Sequence, residues 1–154
     1  MGARGTLEVV FRVKLKGAKR IWRLVGLRAD RTLDDLHWAI FAAFDRDDEH
    51  LYAFYFPHAS RSRAARARVR EYVAPYAFEE PGPWDDGTRF DASATRLTTL
   101  ELQVGQQFEY LFDFGDSWWH EVRVEAIQPV AAGAQLPIVR QKHGVSPPQY
   151  PQDE

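Results

Sequence analysis

The residues of this chain best suited to chemistry are three histidines and two aspartates: His37, His50, Asp113, Asp116 and His120. Imidazole nitrogens and carboxylate oxygens are ligands that Zn²⁺, Mn²⁺ or Fe²⁺ accept, and a His–Asp pair can instead perform general acid–base catalysis. The spacing is not diagnostic, because the chain has no H-x-x-x-H or His-x-Glu motif. Buried polar groups need hydrogen-bond partners in any fold, so we favour a structural or binding role for this cluster and expect no cofactor.

Three of these five residues lie at the tip of a predicted β-hairpin that spans residues 108–127. Aromatic side chains alternate with other residues along its first half, which is typical of a strand. A three-residue loop at 115–117 would place Phe112 opposite His120, with both side chains on the apolar face. Gly115 could supply a positive φ in this loop at low steric cost. We therefore expect His120 to face the core of the domain.

The element expected to face His120 is a helix over residues 33–44. Thr32 is a good N-cap, and Asp35 at the third helical position can accept a hydrogen bond from a free backbone amide. His37 lies within a stripe of apolar residues at three- and four-residue spacing. The stripe consists of Leu33, Leu36, Ile40, Phe41 and Phe44. We therefore expect His37 to face the sheet, where it could converge with His120.

Alternating apolar residues predict further strands near residues 7–15, 20–27 and 50–56. Together with the hairpin they predict an α+β fold, in which a largely antiparallel sheet of about five strands packs against the helix. A chain of 154 residues suits a single domain. We place this domain at residues 1–130 and expect residues 131–154, which contain several prolines, to form an extended segment on its surface.

An arginine-rich segment at residues 60–76 suggests contact with phosphate groups. A helix there would align three arginines on one side: Arg63, Arg66 and Arg70. The same side could equally be a solvated face, which we favour because the formal net charge of the chain is −2. If the chain does bind nucleic acid, an exposed Trp118 or Trp119 could stack on bases beside these arginines.

Several classes of protein are disfavoured by the composition. No apolar run approaches the length needed to span a membrane, and the N-terminal apolar residues are soon interrupted by Arg12 and Lys14, unlike the core of a signal peptide. The absence of cysteine excludes disulfides and thiolate metal sites. We therefore expect a cytoplasmic protein that does not contact a membrane.

Several segments of the chain resemble the plasmid pRiA4b ORF-3-like proteins, a family that includes a passenger protein of an actinobacterial insertion element. The matching segments are Ile21-Trp22-Arg23, Thr32 to His37 with Ile40, His50-Leu51, Tyr110 to Asp116 with Trp118 and His120, and Gly144 with Pro147 to Tyr150. The resemblance covers nearly the whole chain, and the chain departs from it in the segment 61–70. It implies an α+β fold and a gene carried on mobile elements, and it implies no particular activity.

These observations lead to two hypotheses about function. The first is a non-catalytic binding or interaction module whose partner is a protein or a nucleic acid, because the hairpin tip is rich in aromatic residues and the chain has no recognised catalytic motif. The alternative is a metal-dependent hydrolase or phosphodiesterase-type enzyme that uses His37, His50, His120 and an aspartate.

Overall fold

The computed structural model describes residues 6–18, 20–57, 69–75 and 89–147. These ranges contain one sheet of eight strands and one complete α-helix. The strands are β1 (Leu7–Leu15), β2 (Trp22–Arg28), β3 (Tyr52–Pro57), β4 (Val69–Val73), β5 (Arg89–Asp91), β6 (Gln107–Phe112), β7 (Trp118–Pro129) and β8 (Ile138–His143), and the helix is α1 (Leu33–Ala43). Two short 3₁₀ helices, Ala92–Ala94 and Leu97–Leu100, lie between β5 and β6. No helix in the described part of the chain is long and apolar enough to cross a membrane.

The strands follow one another across the sheet in the order β5-β4-β3-β6-β7-β1-β2-β8. Neighbouring strands are antiparallel except β4 and β5, which are parallel. The chain leaves β2 through α1 and re-enters the sheet at β3, so this connection passes the three central strands β1, β7 and β6. The central strands therefore come from opposite ends of the sequence.

The prediction of an α+β fold with a sheet of about five strands is wrong, because the sheet has eight strands and β structure dominates the described chain. The additional strands are β4, β5 and β8. The β4 strand lies in the arginine-rich segment, whose spacing also fits a helix, β5 has only three residues, and β8 is a mostly exposed edge strand. Strands at or near an edge bury few side chains, so they lack the alternation that marks a half-buried strand.

The core lies between α1 and one face of the sheet. Alternate side chains along β1 and β7, among them Phe11, Val13 and Val124, are fully buried, as are Leu36 and Ile40 of α1. Every second side chain of the strands and every third or fourth side chain of the helix point into this layer. Many residues on the opposite side of the same strands are exposed or half-exposed.

The N-terminus of α1 lies where the sequence predicts it. The side chain of Thr32 accepts a hydrogen bond from the backbone amide of Asp35 (3.1 Å), and the Asp35 carboxylate accepts one from the amide of Thr32 (2.9 Å). This capping box satisfies two amides that have no partner within the helix. The predicted helix is therefore confirmed, with Ala43 as its last regular residue and Phe44 as its C-cap.

Replacing Thr32 with alanine should lower the free energy of unfolding by about 1 kcal/mol, because one amide loses its acceptor. Urea unfolding followed by circular dichroism measures this loss. The matched control is Thr99→Ala, at an exposed position outside α1, which should change the free energy of unfolding by less than about 0.5 kcal/mol. Equal losses in the two variants would contradict the capping role.

A buried arginine forms hydrogen bonds at the C-terminal end of α1. Arg23 of β2 is 2% exposed, and its guanidinium donates to the carbonyl oxygens of Ala43 (2.9 Å), Trp22 (2.8 Å) and His143 (2.9 Å). The last carbonyls of a helix carry partial negative charge and lack partners within the helix. Arg23 therefore joins the end of α1 to β2 and to the edge strand β8.

Candidate functional site

The hairpin formed by β6 and β7 places His120 in the interior. Tyr110 pairs with His120 and Phe112 with Trp118, so the loop comprises residues 113–117. The predicted three-residue loop, with Phe112 opposite His120, is wrong. The true pairing differs by two residues, and because strand side chains alternate, a shift of two keeps each side chain on its predicted face. His120 is accordingly fully buried on the α1 side of the sheet.

Asp113 explains why the loop is longer than predicted. Its carboxylate accepts hydrogen bonds from the backbone amides of Gly115 (3.0 Å) and Asp116 (3.3 Å), while its own amide donates to the carbonyl of Leu51 (2.8 Å). Asp113 and Ser117 adopt left-handed backbone conformations, with φ of 64° and 56°. The expectation that Gly115 supplies the positive φ is therefore wrong. Aspartate tolerates this conformation because its side chain can bond the nearby backbone.

The five candidate polar residues separate into different environments. His37 and His120 are both fully buried in the core. His50 lies beside the hairpin tip, with Nε2 3.6 Å from Oδ2 of Asp113, and Asp116 is exposed. Among the described residues, no group of three or more His, Asp or Glu side chains is arranged to hold a metal ion. The described part of the chain therefore adds no support to the metal-dependent hydrolase hypothesis.

His37 is a neutral imidazole enclosed by aromatic rings. Its Nδ1 lies 2.7 Å from the hydroxyl of Tyr110, and its ring stacks on Tyr52 with centroids 3.7 Å apart. Burial, reinforced by the positive charge of Arg46, lowers the pKa of His37 to about 3. Its Nε2 has no hydrogen-bond partner within the described structure. His37 thus faces the core, as its position in the apolar stripe predicts, and is uncharged at neutral pH.

His120 is held in one tautomer by two fixed neighbours. Nη2 of Arg46 lies 2.7 Å from its Nε2, and because a guanidinium only donates, Nε2 must accept. The hydrogen is therefore on Nδ1, which lies 3.3 Å from the carbonyl oxygen of Tyr110. Burial, together with the nearby charge of Arg46, lowers the pKa of His120 well below its usual value. His120 thus links the cation of Arg46 to the backbone of β6.

Arg46 is the functional candidate that the sequence analysis missed. Its guanidinium lies 5.0, 4.8 and 5.9 Å from the ring centroids of Phe44, Phe112 and Trp118, and the residue is only 8% exposed. Burial lowers the pKa of Arg46 to about 10, so the group remains charged at neutral pH. Arg46 belongs to an otherwise acidic turn, residues 45–49, and such a composition predicts that the charged side chains are exposed to solvent. The available signal was a single cation placed directly after the apolar stripe of α1.

The described aromatic and arginine residues considered for ligand binding lie on both sides of the sheet. Trp118 lies on the α1 side of the sheet, whereas Trp119 lies on the opposite side. Arg70 is exposed on β4, on the α1 side. The other two arginines, Arg63 and Arg66, lie outside the described residues. Trp119 and Arg70 therefore cannot contact the same nucleic-acid strand side by side.

The sheet face turned away from α1, which we call the open face, carries aromatic and charged side chains. Its members on or next to the described strands include Arg12, Lys14, Lys16, Trp22, Tyr55, Glu109, Trp119, Glu121, Arg123 and Glu125, all exposed or half-exposed. The ring of Trp119 lies 5.5 Å from that of Tyr55, and the guanidinium of Arg12 lies 4.6 Å from the ring centroid of Trp22. The aromatic rings are thus held in place and still reach solvent.

Two like-charged pairs lie side by side on the open face. Arg12 is opposite Arg123, and Glu109 is opposite Glu121, across neighbouring strands. Like charges directly opposite one another destabilise a sheet. Ion pairs of Arg12 with Glu125 (3.2 Å) and of Lys16 with Glu109 offset part of this cost, and Lys14 lies opposite Glu121 on the neighbouring strand. The open face therefore presents a positive pair next to a negative pair.

The fold and the hairpin define a protein with an open, mainly antiparallel sheet that is covered on one face by a helix. Residues 8–150 match the family described as plasmid pRiA4b ORF-3-like protein, and the chain belongs to this family. The resemblance noted from the sequence is therefore confirmed.

The proteins similar to the chain include a solved structure and a sequence relative. A crystal structure of a protein of unknown function, MM3350 from Methanosarcina mazei Go1, matches with a TM-score of 0.72 and 26% identity, over 94% of this chain and 73% of that chain. The uncharacterized protein y4hQ of Sinorhizobium fredii (strain NBRC 101917 / NGR234) is 29% identical over 117 residues, which is 76% of this chain and 52% of that protein. The chain thus spans about half the length of this relative.

Proposed function

We propose that this protein is a non-catalytic binding module whose open face recognises a protein partner. The observation that carries the proposal is the set of three half-exposed aromatic residues, Trp22, Tyr55 and Trp119, that surround the two like-charged pairs. Tryptophan, tyrosine and arginine are enriched at the centres of protein interfaces, where they contribute most of the binding energy.

The charges of the open face favour a protein over a nucleic acid. Proteins that bind nucleic acids present a clear surplus of cations to the phosphates. On the open face, Glu109 and Glu121 lie next to Arg12 and Arg123, so a phosphate backbone would meet repulsion along with attraction. A protein can instead present carboxylates to the arginine pair and a cation to the glutamate pair, which relieves both repulsions and fixes the orientation. We therefore expect a partner with charges in this order and an apolar recess for Trp119.

A photo-crosslinking side chain at position 121 of the full-length protein tests the proposal in cells. Glu121 lies at the exposed centre of the open face, and the matched control is Ala42, which is exposed on α1. We expect one discrete protein adduct from position 121 and none from position 42. The adduct should disappear on Arg123→Glu, which reverses one charge of the arginine pair, and Trp119→Ala should weaken binding of the purified partner by about 30-fold.

Three results would overturn the proposal: no adduct at position 121, equal adducts at both positions, or an adduct that survives Arg123→Glu. Salt-dependent binding of short DNA or RNA, lost when Arg63, Arg66 and Arg70 are neutralised, would instead establish a nucleic-acid partner.

A further inference from the structure

The two buried arginines of the described structure differ in how their charge is satisfied. Arg23 donates to three carbonyl oxygens, including one at the negative end of α1. Arg46 donates to a ring nitrogen of His120 and faces three aromatic rings, and its Nη1 has no hydrogen-bond partner within the described residues. None of the ion pairs formed among those residues involves Arg46. A buried cation without an anion costs several kcal/mol of solvation.

A second unsatisfied donor lies close to this cation. The indole N–H of Trp118 is buried and has no hydrogen-bond partner within the described residues, although the side chain as a whole is half-exposed. The guanidinium of Arg46 lies 5.9 Å from the centroid of the Trp118 ring. Two independent donors, one of them charged, therefore lack acceptors at the same end of the hairpin. Buried donors are normally paired, so a shared acceptor supplied from outside accounts for both.

We infer that Arg46 and Trp118 form a binding site for a carboxylate group. A carboxylate has two oxygens in one plane and can accept from a guanidinium N–H and an indole N–H together. The walls of the site are aromatic, contributed by Phe44, Phe112 and Trp118 itself. A phosphate dianion would need more donors than these two to replace its hydration. The site therefore suits a carboxylate attached to an apolar or aromatic body.

Entry to the site requires the Trp118 ring to move. Nη1 of Arg46 is enclosed, whereas Trp118 is half-exposed and lies directly after the loop at 113–117. We expect a carboxylate that reaches Nη1 to displace or tilt this ring, and the indole N–H then gains an acceptor. Binding should therefore change the NMR resonance of the Trp118 indole N–H.

This site is independent of the proposed protein-binding surface, because Arg46 and Trp118 lie on the α1 side of the sheet and the open face lies on the other. The carboxylate has two possible sources, a free organic acid or an acidic side chain of a peptide. Both present the same group to Arg46, and they can be separated by the choice of probe.

The experiment titrates the full-length protein with sodium benzoate, sodium acetate, sodium phosphate and a short peptide with blocked termini that carries one glutamate, at constant ionic strength set by sodium chloride. Thermal unfolding and the indole N–H resonances in a ¹H–¹⁵N NMR spectrum are recorded. We expect the carboxylates to raise the unfolding midpoint by a few degrees and to shift the Trp118 resonance. Stronger binding of benzoate than of the peptide identifies a free acid as the source, and the reverse identifies an acidic side chain.

Two variants and one control make the test specific. Arg46→Gln keeps an N–H donor for His120 and removes the charge, so it should abolish the shift. Trp118→Phe keeps the ring and removes the indole N–H, so it should weaken binding about tenfold. The control is Trp38→Phe, which removes the indole N–H of another partly exposed tryptophan (40% exposed) on α1 and should bind as the parent protein does.

The inference is overturned if no carboxylate probe shifts the Trp118 resonance. It is also overturned if phosphate stabilises the protein as strongly as the carboxylates do, or if Trp118→Phe binds as tightly as Trp38→Phe. The comparison of the two tryptophan variants remains decisive even if Arg46→Gln fails to fold.

Discussion

Lowering the pH from 7 to 5 is expected to reduce the free energy of unfolding by at least about 2 kcal/mol, because His37 cannot take up a proton in its buried site. The pKa of His37 is about 3 in the folded protein, against 6.5 for an unperturbed histidine. Between these values the unfolded chain binds a proton that the folded protein excludes, so stability is full above about pH 6.5 and falls as the pH decreases. His120, whose pKa is also lowered by burial, adds to the loss in the same direction.

Urea unfolding at pH 7, 6 and 5 measures this dependence, and His37→Gln separates the contribution of one ring. The variant should be less stable at pH 7, because the hydrogen bond between His37 and Tyr110 and the stacking of its ring on Tyr52 are lost, but its stability should depend less steeply on pH. The pKa of Glu8 is lowered as well, but that group loses its contribution only below its unperturbed value of 4.5, outside the window. A slope that is the same with and without His37 would show that the ring is not excluded from protonation.

Replacing Gly26 with alanine is expected to destabilise the protein by about 2 kcal/mol, because the added methyl group would displace the carboxylate of Glu8. A Cβ at position 26 would lie 2.0 Å from Oε2 of Glu8 and 3.3 Å from Nε of Arg140. Glu8 is fully buried and accepts two hydrogen bonds from Arg140, both of 2.6 Å. Breaking a fully buried pair costs about 3–5 kcal/mol, and the partly exposed side chain of Arg140 reduces this figure.

A double-mutant cycle tests whether the cost arises from Glu8. In a Glu8→Ala background the clash with the Glu8 carboxylate is already removed, so Gly26→Ala should cost less than about 0.5 kcal/mol. Urea unfolding of the four proteins gives the coupling free energy. If Gly26→Ala costs the same in both backgrounds, the close contact between Gly26 and Glu8 does not limit this position.

The sequence predicted those parts of the structure that depend on neighbouring residues. Thr32 and Asp35 form a capping box because both partners lie within one helical turn. His37 faces the core because it lies in the apolar stripe of α1. His120 faces the core because strand side chains alternate, and an error of two residues in the pairing leaves its side chain on the same face of the sheet. Local patterns of this kind can be interpreted without knowing which residues pack against them.

Features that depend on distant contacts could not be predicted in the same way. Arg46 is buried largely because Phe112 and Trp118 of the hairpin pack against it, and both residues are distant from it in the sequence. The edge strand β8 forms through pairing with β2, although most of its side chains are exposed. The family resemblance is confirmed because it combined many segments along the chain, whereas the α+β fold that it implied did not account for these outer strands.

The position of β1 in the sheet has a consequence for biosynthesis. Its partner on one side, β2, follows almost immediately, but its partner on the other side, β7, ends at Pro129. At about 5–20 residues per second, a ribosome needs roughly 5–20 seconds to reach β7 after it has completed β2. During that interval the nascent chain exposes an unpaired strand edge and the apolar side chains of Phe11 and Val13. We therefore expect the nascent chain to be open to chaperones that shield extended apolar segments until its sheet can close.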